Sequence, residues 1–151
     1  MKNNHIIKFE RASYSHPDDT LALKNIVMRN FKQMQKRGYF HDFPDFVMRL
    51  VLDETIDNAM IHGNCGNPKK LISLSISYYE QSILITVTDE GLGFRPEKIP
   101  DPKKRRYQKR LNGRGIYLLK TIGNVTWNKN GNSISVELTS ENEFLAAGIA
   151  Q

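Results

Sequence analysis

Glu54 and Asn58 stand four residues apart in a stretch patterned as a helix, so their side chains share one face. A carboxylate and a carboxamide placed this way offer a base and a hard oxygen ligand close together. Asp89 continues the phase of Ile83, Ile85 and Val87, which puts its carboxylate on the packed side of a strand. A carboxylate there needs a donor, and the exocyclic amine of adenine is one suitable partner. Gly91 and Gly93 follow at once and let the backbone turn tightly and approach a ligand. Gly113 and Gly115 precede Ile116, Leu118, Leu119 and Ile122, a short helical pattern closed by Gly123. Free N–H groups at such a helix start favour an anion, phosphate included. In this order the blocks supply most of what an Mg-ATP site needs.

Each block also has a plainer use. Glu54 and Asn58 can form a satisfied structural hydrogen bond or simply face water. Asp-x-Gly is common in strand-end turns, and a pair of glycines can be no more than a flexible joint. His62 suits a helix-end hydrogen bond, and His41, His62 and the single Cys65 make no zinc set. Cys65 has no visible activator, and Trp127 reads as core. It is the combination in one chain that carries weight.

The elements that must hold these residues follow from periodicity. His5 to Tyr14 reads as an edge strand. Pro17-Asp18-Asp19 starts a helix carrying Leu23, Ile26, Val27, Phe31 and Met34, which Gly38 ends. After a connector from Phe40 to Pro44, a second helix is predicted from Asp45 to about His62, stopped by Gly63-Asn64 and Gly66-Asn67-Pro68. The period then changes to two. Ile72, Leu74, Ile76 and Tyr78 alternate with Ser73, Ser75 and Ser77, and the stretches around Ile85 and Val136 do the same. Such alternation means a sheet packed on one face and wet on the other. Asn130-Gly131 predicts a tight hairpin with positive φ at both positions. The expected architecture is a two-layer α/β sandwich, with a mixed, mostly antiparallel sheet and helices on one face.

Length and composition bound the function. The 151 residues suit one domain, taken as 1–151 with the motifs between about 20 and 139. No apolar run approaches the ~20 residues of a membrane span, and one cysteine fits a reducing compartment, so the expected address is the cytoplasm. The net charge of +6 owes much to Lys103, Lys104, Arg105, Arg106, Lys109 and Arg110. That run can bind nucleic acid, form a solvated loop or face phosphates. Residues 95–112 read as a long loop, a connection that is usually functional in a compact domain. Neither a helix-turn-helix nor a zinc spacing accompanies the basic run, so nucleic acid is not the expected ligand.

Neither a Walker-type phosphate loop nor the protein-kinase signature set occurs. What the blocks resemble is the GHKL ATPase superfamily, whose fold is the Bergerat fold. Residues Asp53 to Asn64 look like its N-box, Asp89 to Phe94 like its first glycine box, and Asn112 to Ile116 like its second. The run Asn58-Ala59-x-x-His62-Gly63-Asn64 is most similar to bacterial anti-sigma factor serine/threonine kinases. The resemblance implies Asn58 as the Mg²⁺ ligand, Glu54 as general base and Asp89 as the adenine acceptor. Gly91 and Gly93 would shape the base pocket, while Gly113 and Gly115 would let a lid wrap the phosphates. Arg114, Arg110 or a lid lysine would neutralise charge on the γ-phosphate. The lid departs from the family's Thr-Thr-Lys-like stretch, having Lys103-Lys104-Arg105-Arg106 in its place.

By the same resemblance the chain would be an ATP-dependent protein serine/threonine kinase. It would bind a sigma factor and phosphorylate an anti-sigma antagonist of the STAS type, with a homodimer usual in such families. Two alternatives are a non-catalytic, nucleotide-dependent binding module and a stand-alone histidine-kinase-like ATPase domain. The length leaves no room for a complete sensor histidine kinase.

Overall fold

The computed structural model describes residues 6–14, 17–40, 43–93 and 111–140, with side chains from residue 20 onward except 111–114. Strand β1 (Ile6–Tyr14) leads into helix α1 (Pro17–Lys36) and helix α2 (Asp45–Asp57), which continues as a π-helical turn, Asn58–Gly63. Strands β2 (Ile72–Tyr79) and β3 (Ser82–Thr88), helix α3 (Leu111–Ile122) and strands β4 (Asn124–Trp127) and β5 (Ser133–Thr139) follow. The five strands pair in the order β1-β2-β3-β5-β4. All four ladders are antiparallel, a stricter pattern than the mixed sheet expected.

Period-two patterning sets which face is buried. Ile72, Leu74, Ile76 and Tyr78 of β2, Ile83, Ile85 and Val87 of β3, and Val136 and Leu138 of β5 lie in one core. Phe31 and Met34 of α1, Val51, Leu52 and Ile56 of α2, and Leu119 and Ile122 of α3 join it from the other layer. Fully burying each such side chain contributes about 1.5–3 kcal/mol before conformational entropy is counted. The opposite face is hydroxylated. Thr86 and Ser135 hydrogen-bond at 2.8 Å, and Thr88 and Ser133 at 2.7 Å. Ser77 departs from the alternation, being buried beside its apolar neighbours.

The helix stops follow local chemistry. At the end of α1, Gly38 takes φ 93°, its N–H bonds to the Gln35 carbonyl, and the Tyr39 N–H bonds back to Met34. These are the two bonds of a Schellman cap. Phe40 and Phe43 in the connector are buried and stacked 5.5 Å apart, with Phe40 also 5.9 Å from Tyr78. Ile26, expected on the buried face of α1, is 40% exposed. Trp127, expected in the core, is half-buried, with the Lys120 ammonium 5.5 Å from its ring centre. Among the described residues no helix is long and apolar enough to cross a membrane.

The predicted hairpin after Trp127 is wider than two residues. Only Gly131 takes positive φ, and the turn is built on Asn128. The Asn128 side-chain oxygen accepts from the N–H groups of Asn132 and Ser133, at 3.0 and 3.1 Å. An asparagine that satisfies two backbone donors removes the need for a tight turn.

Ile85 is fully buried at the centre of the sheet. Ile85→Ala is expected to cost about 2–5 kcal/mol in urea denaturation, whereas Leu84→Ala on the opposite face costs well under half of that.

Candidate functional site

The face of α2 that carries Glu54 and Asn58 runs on into the π turn. There the Asn64 N–H bonds to the Ala59 carbonyl at 2.8 Å, five residues back. This wider winding moves the position above Asn58 from His62 toward Gly63. His62 is accordingly exposed, and Gly63 faces the turn after β3. A Cβ built on Gly63 would overlap the Asp89 carboxylate, and one built on Gly91 would overlap the Gly63 carbonyl oxygen. The first glycine box therefore sits directly on the end of the N-box helix. Glu54 and Asp89 mark the two ends of a line on the order of 12 Å long.

Asp89 is half-buried and held by its surroundings. Its Oδ1 accepts from the Gly91 N–H at 2.7 Å. Asn132 holds its backbone on both sides, accepting from the Asp89 N–H at 2.9 Å and donating to the Asp89 carbonyl at 3.0 Å. Gly93, at φ 81°, passes so close to the Asn130 carbonyl that no side chain would fit. Burial pushes the Asp89 carboxyl above the usual aspartate range, against the pull of the Gly91 N–H and Lys70. Each carboxylate oxygen has two lone pairs, so Asp89 keeps acceptor capacity beyond the Gly91 bond.

Glu54 is brought against α3. A Cβ on Gly115 would overlap Glu54 Oε2, so the missing side chain makes room for the carboxylate. Burial, and then the charges of Asp57 and Asp53, push Glu54 above the usual glutamate range, with Lys24 partly offsetting them. A partly buried carboxyl with a raised pKa beside a helix start is in a setting where proton transfer can be tuned.

The glycine pair does not precede its helix as predicted. Helix α3 begins at Leu111, so Gly113 and Gly115 lie inside its first turns. The unbonded N–H groups at its start include those of residues 111–113. The side chain of Arg114 lies outside the described residues. So do Arg110, the basic run and most of the expected lid.

The sequence reading gave Gly63 only a helix-stopping role, although its place in the His62-Gly63-Asn64 run hinted at more. Lys24 was missed altogether. It is buried in α1 with its ammonium 2.9 Å from Asp57 and 3.2 Å from Asp53. Burial draws its pKa down, but the hydrogen bonds to Asp57 and Asp53 outweigh that and leave it raised. Lys24 thus engages the two acids that flank Glu54 in sequence and ties α1 to α2.

Asn58 is half-buried. Among the described residues no three His, Cys, Asp or Glu side chains cluster as a metal cage. A single amide oxygen beside a carboxylate is the donor set that Mg²⁺ accepts when phosphates and water complete its shell.

Two outcomes follow from this geometry. Gly115→Ala should destabilise the chain by about 1–3 kcal/mol through its clash with Glu54. In a Glu54→Ala background the same change should instead stabilise by about 1 kcal/mol, because alanine is the better helix former; urea titration of the four proteins checks this. The raised carboxyls also give a pH signature. A raised carboxyl stabilises the fold below its unfolded pKa, and that contribution is lost as pH rises through the higher folded value. Glu54→Gln and Asp89→Asn should therefore raise the melting temperature relative to the parent at pH 7. The gain should vanish below about pH 4.

The comparisons with known proteins agree with this arrangement. Residues 23–138 match the histidine kinase-like ATPase domain family. The chain is 37% identical over 46 residues to an anti-sigma F factor of Bacillus cytotoxicus, covering 30% of this chain and 32% of that protein. It is 34% identical over 59 residues to an anti-sigma F factor of Geobacillus stearothermophilus, covering 39% of this chain and 37% of the relative. The matched stretches thus span about a third of these relatives. A family match across most of the chain, on a sheet-and-helix sandwich that packs the N-box against the first glycine box, has one reading: this chain belongs to the histidine kinase-like ATPase domain family.

Proposed function

We propose that the chain is an ATP-dependent protein serine/threonine kinase of the anti-sigma type. On this reading it binds a sigma factor and phosphorylates a small STAS-like antagonist protein in the cytoplasm, acting as one domain. Membership in an ATPase-domain family implies ATP as the nucleotide. The observation that carries the proposal is the succession of Glu54 on α2 and Asn58 and Gly63 on the π turn that continues it, with Asp89 against Gly63 and Gly115 against Glu54.

In that arrangement Asp89 accepts the adenine amine. Gly91 and Gly93 keep the pocket wall free of side chains, and the start of α3 faces the phosphates. Asn58 would hold Mg²⁺, which when bound neutralises charge on the phosphate oxygens. Glu54 takes the proton of the incoming serine or threonine hydroxyl as its oxygen forms the bond to the γ-phosphorus and the bond to the β-phosphate oxygen breaks. A raised carboxyl accepts a proton more readily than an ordinary glutamate, which suits this role at neutral pH.

The similarity to proteins named anti-sigma F factors supports this substrate class over a detached histidine-kinase lobe. The pairing of Glu54 with Gly115 favours a catalytic chain over a pure binder, since a binder needs no seat for a base.

Incubation with radiolabelled ATP, Mg²⁺ and candidate antagonist domains from the same genome tests the proposal. Label should pass to a serine or threonine of one antagonist. Glu54→Ala should lower the rate about 10²–10⁴-fold while ATP still binds, and Asp89→Asn should lose ATP binding. Transfer undiminished in Glu54→Ala would remove the assigned base.

A further inference from the structure

Asn64 follows the π turn and is buried, with 1% of its surface exposed. A buried asparagine must satisfy its polar groups within the protein, and Asn64 satisfies all four kinds. Its N–H donates to the Ala59 carbonyl at 2.8 Å, and its carbonyl accepts from the Asn67 N–H at 3.0 Å. Its side-chain Nδ2 donates to the Leu71 carbonyl at 3.0 Å. Its Oδ1 accepts from the Glu90 N–H at 2.8 Å. The amide orientation is fixed by its partners, because a backbone N–H can only donate and a carbonyl only accept. The Glu90 carboxylate completes the ring by accepting from the Leu71 N–H at 3.0 Å.

One side chain therefore ties together the end of the α2 face, the entry to β2, and the residue next to Asp89. Asn132 anchors the Asp89 backbone from the far side of the same turn, accepting from its N–H with a backbone carbonyl and donating to its carbonyl with the side-chain amide. The height of the Asp89 carboxylate over Gly63 is thus set by two asparagines, one on each flank.

From this ring of bonds we infer that Asn64, with Glu90, is a positioning residue for purine recognition: it holds the Asp89 turn on the α2 face so that the carboxylate meets an adenine amine. The inference rests on the ATP reading above. The Asn64 side chain acts through Glu90 and Leu71, so it governs nucleotide affinity and base choice rather than the transfer step at Glu54. Aspartate at this position would keep the acceptor for Glu90 and lose the donor for Leu71. Alanine would lose both.

Calorimetric titration of the full chain with Mg-ATP and Mg-GTP tests this, together with kinase turnover at saturating ATP. The parent chain should prefer ATP, whose base presents an amine where guanine presents a carbonyl. Asn64→Ala should weaken ATP by about tenfold or more and reduce the preference over GTP, with Asn64→Asp between the two. Turnover at saturating ATP should stay close to that of the parent. If Asn64→Ala does not fold, Glu90→Ala serves, since Glu90 is exposed and its loss opens only the Leu71 N–H bond. That variant should shift base preference in the same direction by a smaller factor. Unchanged ATP affinity and preference in a folded Asn64 or Glu90 variant, with only stability reduced, would make the ring a structural tether and overturn the inference. A parent chain that binds neither nucleotide would overturn the ATP reading itself, and this inference with it.

Discussion

The site depends on how closely the last turn of α2 can approach the turn that follows β3. Gly63 lies under the Asp89 carboxylate, and Gly91 lies over the Gly63 carbonyl. Neither contact tolerates a Cβ, so the approach is set by what these residues lack. Packing between a helix and a sheet normally leaves room for side chains. Here backbone meets backbone, and the Asp89 carboxylate sits directly on the Gly63 backbone. The sheet fixes the direction of Asp89 and the helix fixes its depth.

The same closeness shapes the electrostatics. Glu54 and Asp89 sit at the two ends of the α2 face, and burial raises both carboxyls. Keeping charged groups in dry surroundings costs stability, and the fold offsets this locally rather than by pairing each carboxylate with a cation. Asp89 receives the Gly91 N–H, and Glu54 rests beside the start of α3. The buried cation, Lys24, goes to Asp53 and Asp57 instead. Those two acids are thereby partly neutralised, and Glu54 is left as the carboxylate without a lysine at hydrogen-bonding distance among the described residues.

Much of this was readable from the residues. Alternation gave the inner face of β2, β3 and β5, because burial on a pleated surface repeats every two positions. The phase of Asp89 with Val87 placed its carboxylate on the helix side, where it lies against Gly63. The edge position of β1 and the glycine stop of α1 followed from local chemistry in the same way. What escaped was non-local or depended on winding. The π turn that brings Gly63 round has no signature in an apolar pattern, since Ala59 and Met60 are buried in it as they would be in an α-helix. Lys24 reads as one more polar residue on a helix until Asp53 and Asp57 are folded against it. The turn after Trp127 was misjudged because Asn130-Gly131 dominates locally, whereas Asn128 organises the loop from two residues earlier.

The π turn shows how the end of this helix can absorb a change in chain length. It amounts to one extra residue wound into the end of α2 between Asn58 and Gly63. Removing one residue between Asn58 and Gly63 would restore regular winding and still leave Gly63 above Asn58, now four positions on. What the segment fixes is the face on which Gly63 emerges, and two different residue counts can present it there.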